Sequence, residues 1–222
     1  FERAGYRAIC TPVLTFAFPN QRRLRGHLER VEEYGALVAT SPRVATALSE
    51  LFGEQSGLAD EWRGAPAYAV GPKTARCLRK FGLRPRGDDA GSAAALAERI
   101  VAEKPSVPLL FLCGNRRRDT LPHRLREAGI PFDEVVVYET RTREALTLPP
   151  SEGSTWLVFF SPSGLEAIEQ SESVTPADYR RAAIGPTTAG ALREAGWSVD
   201  AVAEEPSPEG LISALPGADE AE

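Results

Sequence analysis

Two stretches of the sequence, far apart in the chain, carry the same pattern: VGPKTARCLRKF at 70–81 and IGPTTAGALREA at 184–195. Two further pairs match in the same order along the chain: LVATSPRVATAL (37–48) with LVFFSPSGLEAI (157–168), and GSAAALAERI (91–100) with SPEGLISAL (207–215). Because these units recur in one order, they indicate a duplicated half. The sequence therefore predicts two similar lobes, and 222 residues are enough for each lobe to bury a core.

Short apolar runs alternate with stretches of helical periodicity along almost the whole chain. The predicted strands are 6–10, 36–40, 67–70, 108–113, 134–139, 155–160, 182–184 and 199–202. The predicted helices are 20–33, 42–53, 73–82, 92–103, 118–128, 163–170, 187–196 and 208–215. This alternation is typical of an α/β fold in which each lobe has a mostly parallel sheet flanked by helices.

Each repeated unit passes from a strand through Ser or Gly and then Pro into a helix. Ser41 and Ser161 are expected to be N-caps, with Pro in the first helical turn, and Gly71 and Gly185 precede Pro in the other pair. In open α/β sheets, ligands bind beyond the carboxyl ends of the strands, where helix N-termini present free N–H groups. Four such junctions predict an anion-binding cleft between the lobes, although capping preferences alone also produce each single junction.

A fifth junction carries positive charge. Arg116, Arg117 and Arg118 follow the predicted strand LLFLC and occupy the expected first turn of a helix. Three cations there oppose the helix dipole, which an anionic ligand would explain. The alternative is a solvated face on which Asp119 and Glu127 act as partial counter-charges.

The composition argues against several classes of protein. The formal net charge is −5, so broad binding to nucleic acid through a basic surface is not expected. No apolar run approaches the ~20 residues of a membrane-spanning helix, so no membrane association is expected. The cysteines, Cys10, Cys77 and Cys113, form no C-x-x-C pair, and we expect reduced thiols in a cytoplasmic protein. The sequence lacks methionine and opens with FERAGYRAIC, so we expect an N-terminal strand and most of a helix to be missing.

The sequence lacks the motifs of several catalytic classes. Neither G-x-G-x-x-G after a strand nor G-x-x-x-x-G-K-[ST] is present, and there is no G-x-S-x-G elbow. His27 and His123 have no acidic residue at a spacing that would indicate a partner, and no cluster of metal ligands is expected. An enzyme with this sequence would therefore work without a metal, a nucleotide or a covalent nucleophile, by holding its substrate in a reactive shape.

Several stretches together resemble the uroporphyrinogen-III synthase family, in order and over nearly the whole chain. They are TSPR (40–43), VGPKTA (70–75), LFLCGNRRRDTLPHRLREAGI (110–130), VVVYET (135–140), FFSPSGL (159–165) and AAIGPTTAGAL (182–192). The resemblance implies two α/β lobes, one inserted into the other and joined by a two-stranded β connection. It places the inserted lobe at 17–139 and the discontinuous lobe at 1–13 plus 144–222, with crossings near 13–16 and 140–143.

The resemblance also implies an activity. Members of the family cyclise hydroxymethylbilane, a linear tetrapyrrole with eight carboxylates, in haem biosynthesis. The terminal hydroxyl leaves with help from a pyrrole nitrogen, ring D attacks through its substituted carbon, and the resulting spiro intermediate recloses with that ring inverted. Without the enzyme the bilane closes to the uninverted isomer, so catalysis is largely orientation with a modest general-acid contribution. No cofactor is implied, and we expect a monomer.

The resemblance implies the residues of the site. On sequence alone, a strand tyrosine such as Tyr138 is more typical of packing than of chemistry, but the family match makes it the expected proton donor. The residues expected to bind substrate are Thr40, Ser41, Arg43, Gly71, Thr74, Gly114, Asn115, Arg116, Ser161, Ser163, Gly185, Thr187 and Thr188. Two other functions stay open: a non-enzymatic two-lobed ligand-binding or sensor module on the same scaffold, and a sugar-phosphate enzyme that binds phosphate at the helix ends.

Overall fold

A computed structural model of the chain describes residues 1–54, 56–151, 155–171 and 179–216. It divides into two units, Phe16–Thr140 and the discontinuous pair Phe1–Thr15 with Arg141–Glu222. No helix within the described ranges has both the length and the apolar character that crossing a membrane requires.

Nine strands are formed by the described residues: β1 Leu14–Ala17, β2 Ala36–Ala39, β3 Pro66–Ala69, β4 Arg84–Arg86, β5 Leu109–Gly114, β6 Phe132–Thr142, β7 Trp156–Phe159, β8 Arg180–Ala183 and β9 Ala201–Val202. The same residues form nine α-helices: α1 Gln21–Leu28, α2 Arg43–Glu54, α3 Ser56–Glu61, α4 Gly71–Arg79, α5 Ala93–Glu103, α6 Thr120–Glu127, α7 Pro162–Glu169, α8 Pro186–Glu194 and α9 Pro208–Ala214. Short 3₁₀ turns lie at Glu2–Ala4 and Val31–Glu33.

Strands β1 to β6 form one sheet with the order β1-β6-β5-β2-β3-β4. The pairs β2–β3, β2–β5, β3–β4 and β5–β6 are parallel. Successive residues of β5 alternate between two apolar clusters, with Leu110 and Leu112 in one and Phe111 and Cys113 in the other. Helices α1 to α4 cover the first cluster, and α5 and α6 cover the second. Strand β5 is therefore buried on both faces, as the continuous apolar run PLLFLC at 108–113 indicates.

The discontinuous unit contains a parallel sheet with the order β7-β8-β9. Ala183 of β8 lies in a cluster with residues of α7 and α8, whereas Ala182 lies in a cluster with residues of α9. Phe1 and Tyr6 pack against this second cluster, and the Tyr6 hydroxyl donates to the Pro216 carbonyl. The α/β fold predicted from the alternating pattern is thus confirmed in both units.

The predicted strand 6–10 is wrong. Within the described residues this segment joins no sheet, and Ile9, which the pattern would have buried, is 53% exposed. A strand needs a neighbour to satisfy its backbone N–H and C=O groups, and the local apolar pattern cannot supply one.

Strands β1 and β4 and helix α3 were not predicted from the apolar pattern, although the family resemblance implies a β connection near 13–16, where β1 lies. Strand β4 reads Arg-Pro-Arg and has no apolar alternation, because it lies at the edge of its sheet and pairs only with β3. Strand β1 lies beside β6 at the other edge. Helix α3 has six residues, which is too short for its periodicity to stand out.

Candidate functional site

The predicted site residues of the unit Phe16–Thr140 lie at the carboxyl ends of four adjacent strands. Thr40 follows β2, Gly71 follows β3, and Gly114 ends β5. Tyr138 of β6 is level with Gly114 in the parallel ladder. Because the sheet order runs β6-β5-β2-β3, these residues occupy one continuous edge. The sheet therefore gathers in space residues that are about a hundred positions apart in sequence.

The segment after β2 combines a capping hydroxyl with a cation. Ser41 Oγ accepts a hydrogen bond of 3.3 Å from the Arg43 N–H at the start of α2, as its predicted N-cap role requires. The Arg43 guanidinium lies 3.8 Å from the centre of the Phe16 ring. This cation–π contact holds an exposed charge beside the loop without neutralising it. Phe16 was missed in the sequence because its partner lies on a different element.

Each of the two Gly-Pro junctions leads into a helix, but the backbone conformation of the glycine differs between them. Helices α4 and α8 each have Pro in the first turn. Gly71 has a φ of +77°, which favours glycine, and Gly185 has an extended φ of 173°, which any residue can adopt. The two glycines therefore differ in backbone conformation, although the sequence around them repeats. A Cβ atom at either position would meet no atom within 4 Å.

The threonines of the repeat have matching environments. Thr74 is 2% exposed and Thr188 is 4% exposed, and each is followed by a fully buried alanine. Thr187, one residue earlier than Thr188, is exposed. The repeat read in the sequence thus corresponds to an equivalent buried turn in each unit, and Thr187 is the threonine whose hydroxyl is accessible.

Ser161 and Ser163 lie after β7, beside the junction that follows β8. Ser161 is the N-cap residue of α7, as predicted, but its side chain makes no capping hydrogen bond. Its Oγ atom instead lies 2.7 Å from Ser163 Oγ. Since β7 and β8 are adjacent and parallel, the serine pair and Gly185 lie at the same edge of the smaller sheet.

The three arginines after β5 precede helix α6, which begins at Thr120, so the expectation that they occupy its first turn is wrong. Their environments differ. Arg117 donates to Glu134 Oε1 through Nε, at 2.7 Å, and through Nη2, and it also pairs with Asp119. Burial alone would lower the pKa of Arg117, but the hydrogen bonds to Glu134 and Asp119 outweigh burial and raise it. The side chain of Arg117 is 22% exposed, whereas Arg116 and Arg118 are exposed residues.

Glu134, the main counter-charge of Arg117, was not predicted from the sequence. It lies on β6, which pairs with β5, so only the strand order brings it to Arg117. Of the two predicted counter-charges, Asp119 does contact Arg117, but Glu127 pairs with Arg124. Glu134 and burial together affect a neighbouring thiol as well: burial, followed by the Glu134 charge, raises the pKa of Cys113 to about 12.

Both histidines lie near carboxylates, so the expectation from the sequence that they lack acidic partners is wrong. His123 Nε2 lies 3.5 Å from Glu127 Oε1, one helical turn away. Tyr34 donates a 2.6 Å hydrogen bond to Asp133, and His27 Nδ1 lies 2.6 Å from the same Tyr34 hydroxyl. The i, i+4 spacing in the sequence could have identified Glu127, whereas Asp133 lies on another element.

Tyr138 is half-buried and lies across the end of β5. Its ring packs against the cluster that α1 to α4 cover. A Cβ atom on Gly114 would come within 2.7 Å of the Tyr138 hydroxyl oxygen, and closer still to the ring carbons Cε2 and Cζ. Among the residues that the structure describes, none forms a hydrogen bond with the Tyr138 hydroxyl. The hydrogen-bonding capacity of this hydroxyl is therefore not used by any described residue.

The amino end of the same sheet carries a separate depression of 280 Å³. Within it, Glu103 accepts hydrogen bonds from Tyr68, at 2.6 Å, and from Arg86, at 3.1 Å. These groups satisfy one another, and none of the predicted site residues lines the depression. The residues predicted for the site in this unit therefore lie at the carboxyl edge, away from the depression. No group of three His, Cys, Asp or Glu residues in the described part of the chain could hold a metal ion.

Comparisons with known proteins agree with one another. Residues 1–213 match the family model described as uroporphyrinogen-III synthase HemD. The chain is 29% identical over 236 residues to a uroporphyrinogen-III synthase of Schizosaccharomyces pombe, which covers 99% of this chain and 90% of that protein. It is 32% identical over 206 residues to the same enzyme of Saccharomyces cerevisiae, covering 81% and 74%. A solved uroporphyrinogen-III synthetase of Helicobacter pylori has a similar fold, with a TM-score of 0.60, 24% identity and coverage of 90% and 88%.

Proposed function

The chain belongs to the uroporphyrinogen-III synthase family, and from this premise we propose that it cyclises hydroxymethylbilane to uroporphyrinogen III, with loss of water and inversion of ring D. It is an enzyme, a cyclising lyase of haem biosynthesis, and its substrate is a small tetrapyrrole. The observation that carries this conclusion is the family match over residues 1–213, which includes every residue of the predicted site.

We propose that Tyr138 donates the proton to the departing hydroxyl group. Its own hydroxyl lies at the carboxyl edge of a parallel sheet, without a hydrogen bond from any described residue. A proton donor in this reaction must lie within hydrogen-bond reach of the oxygen of the substrate's terminal hydroxymethyl group, either directly or through one water. Once the C–O bond breaks, water leaves and the pyrrole nitrogen supplies the electron pair, so a single donor is sufficient.

We further propose that backbone N–H groups bind most of the substrate's carboxylates. The starts of α2, α4, α7 and α8 all follow parallel strands, and the N-terminal end of a helix favours negative charge. The exposed residues Arg43 and Arg116 add positive charge at the larger sheet. Such local donors bind an acidic substrate even though the net charge of the chain is −5, because salt screens charges farther apart than about 8 Å.

Thr187, Ser161 and Ser163 are the residues of the discontinuous unit that we propose as hydroxyl contacts. Thr187 and Ser161 are exposed, and Ser163 is half-buried beside Ser161. The buried Thr74 and Thr188 are placed to contribute through the N–H groups of their helical turns instead. We propose no cofactor, because the reaction has no redox step and requires only orientation and proton transfer. The cytoplasmic location and the monomeric state stay predictions from the sequence.

The test is to supply hydroxymethylbilane and to separate the uroporphyrinogen isomers formed. We expect isomer III in the presence of the chain and isomer I in its absence. If the chain binds the bilane but only isomer I appears, the alternative of a non-enzymatic binding module is correct. Heat-denatured chain at the same concentration is the control for spontaneous closure.

A further inference from the structure

The ladder between β5 and β6 changes register directly before Tyr138. Cys113 pairs with Val136, but the next residue, Gly114, pairs with Tyr138, so Val137 is the extra residue of a bulge. Bulges are rare in parallel pairs, and they redirect the side chain that follows them.

This bulge changes the face on which Tyr138 lies. In an unbroken strand, successive side chains point to opposite faces, so Tyr138 would share the face of Val136. Val136 packs against the cluster covered by α5 and α6. Val137 and Tyr138 instead both contact the cluster covered by α1 to α4, although they are consecutive. The extra residue therefore turns the tyrosine to the other face of the sheet.

Gly114 leaves the space that the redirected ring occupies. Its neighbour in β5 on the same face is Leu112, which lies in the same cluster as the ring of Tyr138. A Cβ atom at position 114 would overlap Cε2 and Cζ of the ring. Since those atoms belong to the ring and not to a flexible chain end, an alanine here would have to displace the whole side chain.

Asn115 holds the backbone on the other side of the tyrosine. Its side-chain oxygen Oδ1 accepts hydrogen bonds from the N–H of Thr140, at 2.9 Å, and of Arg116, at 2.8 Å. Its own backbone N–H donates to the carbonyl of Tyr138 at 3.2 Å. Asn115 thus connects the end of β5 to Tyr138 and Thr140 of β6, both of which follow the bulge.

We infer that Gly114 and Asn115 are positioning residues for Tyr138, which together aim its hydroxyl rather than contact the substrate. The inference rests on the proposed function, because it assumes that the Tyr138 hydroxyl delivers a proton. Gly114 acts by leaving room for the ring, and Asn115 acts by fixing the backbone from which the ring extends.

Steady-state kinetics of isomer III formation test this inference with the full chain. Gly114→Ala should lower kcat about a hundredfold, the loss expected for a reacting group displaced by ~1 Å, with KM little changed. Asn115→Ala should lower kcat in the same way but less. Asn115→Asp keeps the Oδ1 acceptor, so its kcat should be close to that of the unaltered chain. Gly26→Ala is the matched control, since Gly26 is exposed in α1 and a Cβ atom there meets nothing within 4 Å.

A double-substitution cycle separates positioning from a general structural effect. In a Tyr138→Phe background, Gly114→Ala should cause little further loss of kcat, because the hydroxyl it misplaces is already gone. An equal loss in both backgrounds would overturn the inference, and so would a raised KM with unchanged kcat, which would indicate substrate contact.

A measurement independent of turnover keeps the inference testable if the proposed function fails. In chain labelled with ¹³C-tyrosine, the ring signals assigned to Tyr138 by comparison with Tyr138→Phe should shift in both Gly114→Ala and Asn115→Ala. They should not shift in Gly26→Ala. Unchanged Tyr138 signals in Asn115→Ala would show that this side chain does not position the ring. Absence of isomer III from the unaltered chain, with these shifts present, would reject the proposed function alone.

Discussion

Arg117 donates two hydrogen bonds to a single carboxylate oxygen of Glu134, one from Nε and one from Nη2. Both side chains are largely buried, with 22% and 19% exposed. Arg117 therefore connects the segment that precedes α6 to strand β6. Its charge is balanced by Glu134 and Asp119. The Arg116–Arg118 run therefore contains one largely buried arginine in an ion pair, Arg117, and two exposed arginines, Arg116 and Arg118.

Arg117→Ala should lower the free energy of unfolding by about 2 kcal/mol, less than the loss of a fully buried ion pair, because Glu134 then keeps only its longer 3.7 Å contact with Arg126. Arg118→Ala should change it by less than about 0.5 kcal/mol, as an exposed substitution does. Urea denaturation followed by circular dichroism measures both. Equal midpoints for the two variants would mean that the Arg117–Glu134 pair adds nothing to stability.

Tyr138→Phe should slow the formation of isomer III about a hundredfold or more, the contribution of a general acid, while the spontaneous isomer I accumulates. Isomer analysis by chromatography at a fixed substrate concentration measures the ratio. Tyr179→Phe is the matched control: it removes a 2.7 Å hydrogen bond to the Pro149 carbonyl and should cost about 1 kcal/mol of stability without changing the isomer ratio. Unchanged turnover in Tyr138→Phe would remove this residue from the chemistry.

Gly71→Ala should lower the stability of the fold, whereas Gly185→Ala should leave it unchanged. At Gly71 the left-handed φ makes alanine costly, about 1–2 kcal/mol of stability. At Gly185 the extended backbone and the open space tolerate a methyl group, so thermal unfolding should be unchanged.

If a substrate carboxylate approaches the Gly185 N–H, the added methyl group should raise KM without lowering the melting temperature. Thermal melts and kinetics of the same two preparations give both readouts. A Gly185→Ala variant with normal KM would exclude a close approach of substrate to this backbone.

Stability should decrease as the pH falls below about 6.5, in part because of His27. Burial lowers the pKa of His27, and the nearby charge of Asp133 opposes this without cancelling it. The folded state therefore keeps His27 neutral where the unfolded chain takes up a proton, so the unfolded chain binds more protons and gains stability as the pH falls. The contribution of His27 is complete above the unfolded pKa and is lost below it.

His27→Gln should flatten the dependence of the urea midpoint on pH between about 7 and 5. His123→Gln, at an exposed histidine of α6, is the control for loss of a histidine. If the slope with pH is the same in His27→Gln and in the unaltered chain, His27 does not titrate differently on folding.

Local pattern was sufficient for the elements whose signal lies within one stretch of chain. The Gly-Pro and Ser-Pro junctions repeat in the sequence, and helices α4, α7 and α8 begin at them in the structure. The apolar run of β5 predicted burial on both faces, and its residues do alternate between two clusters. The role of Tyr138 as proton donor stays a prediction from the family resemblance, since composition and spacing alone indicate a packing residue.

Elements that depend on a partner could not be read locally. Segment 6–10 has the apolar pattern of a strand but joins no sheet among the described residues. Strand β4 has no such pattern and yet forms an edge, because β3 supplies its hydrogen-bond partners. Hydrogen bonding between strands is a property of pairs, so a single stretch of sequence carries little of it.

The sequence by itself determined the repeated strand-to-helix junctions, the α/β class and the residue types available to bind an acidic substrate, because capping and apolar periodicity act over a few neighbouring residues. Only the tertiary structure decided which charges are neutralised and where the tyrosine lies. The pairing of β5 with β6 brings Glu134 to Arg117, and the bulge in the same pair turns Tyr138 over Gly114. Both outcomes depend on strand register, which packing across the whole sheet sets and no local pattern encodes.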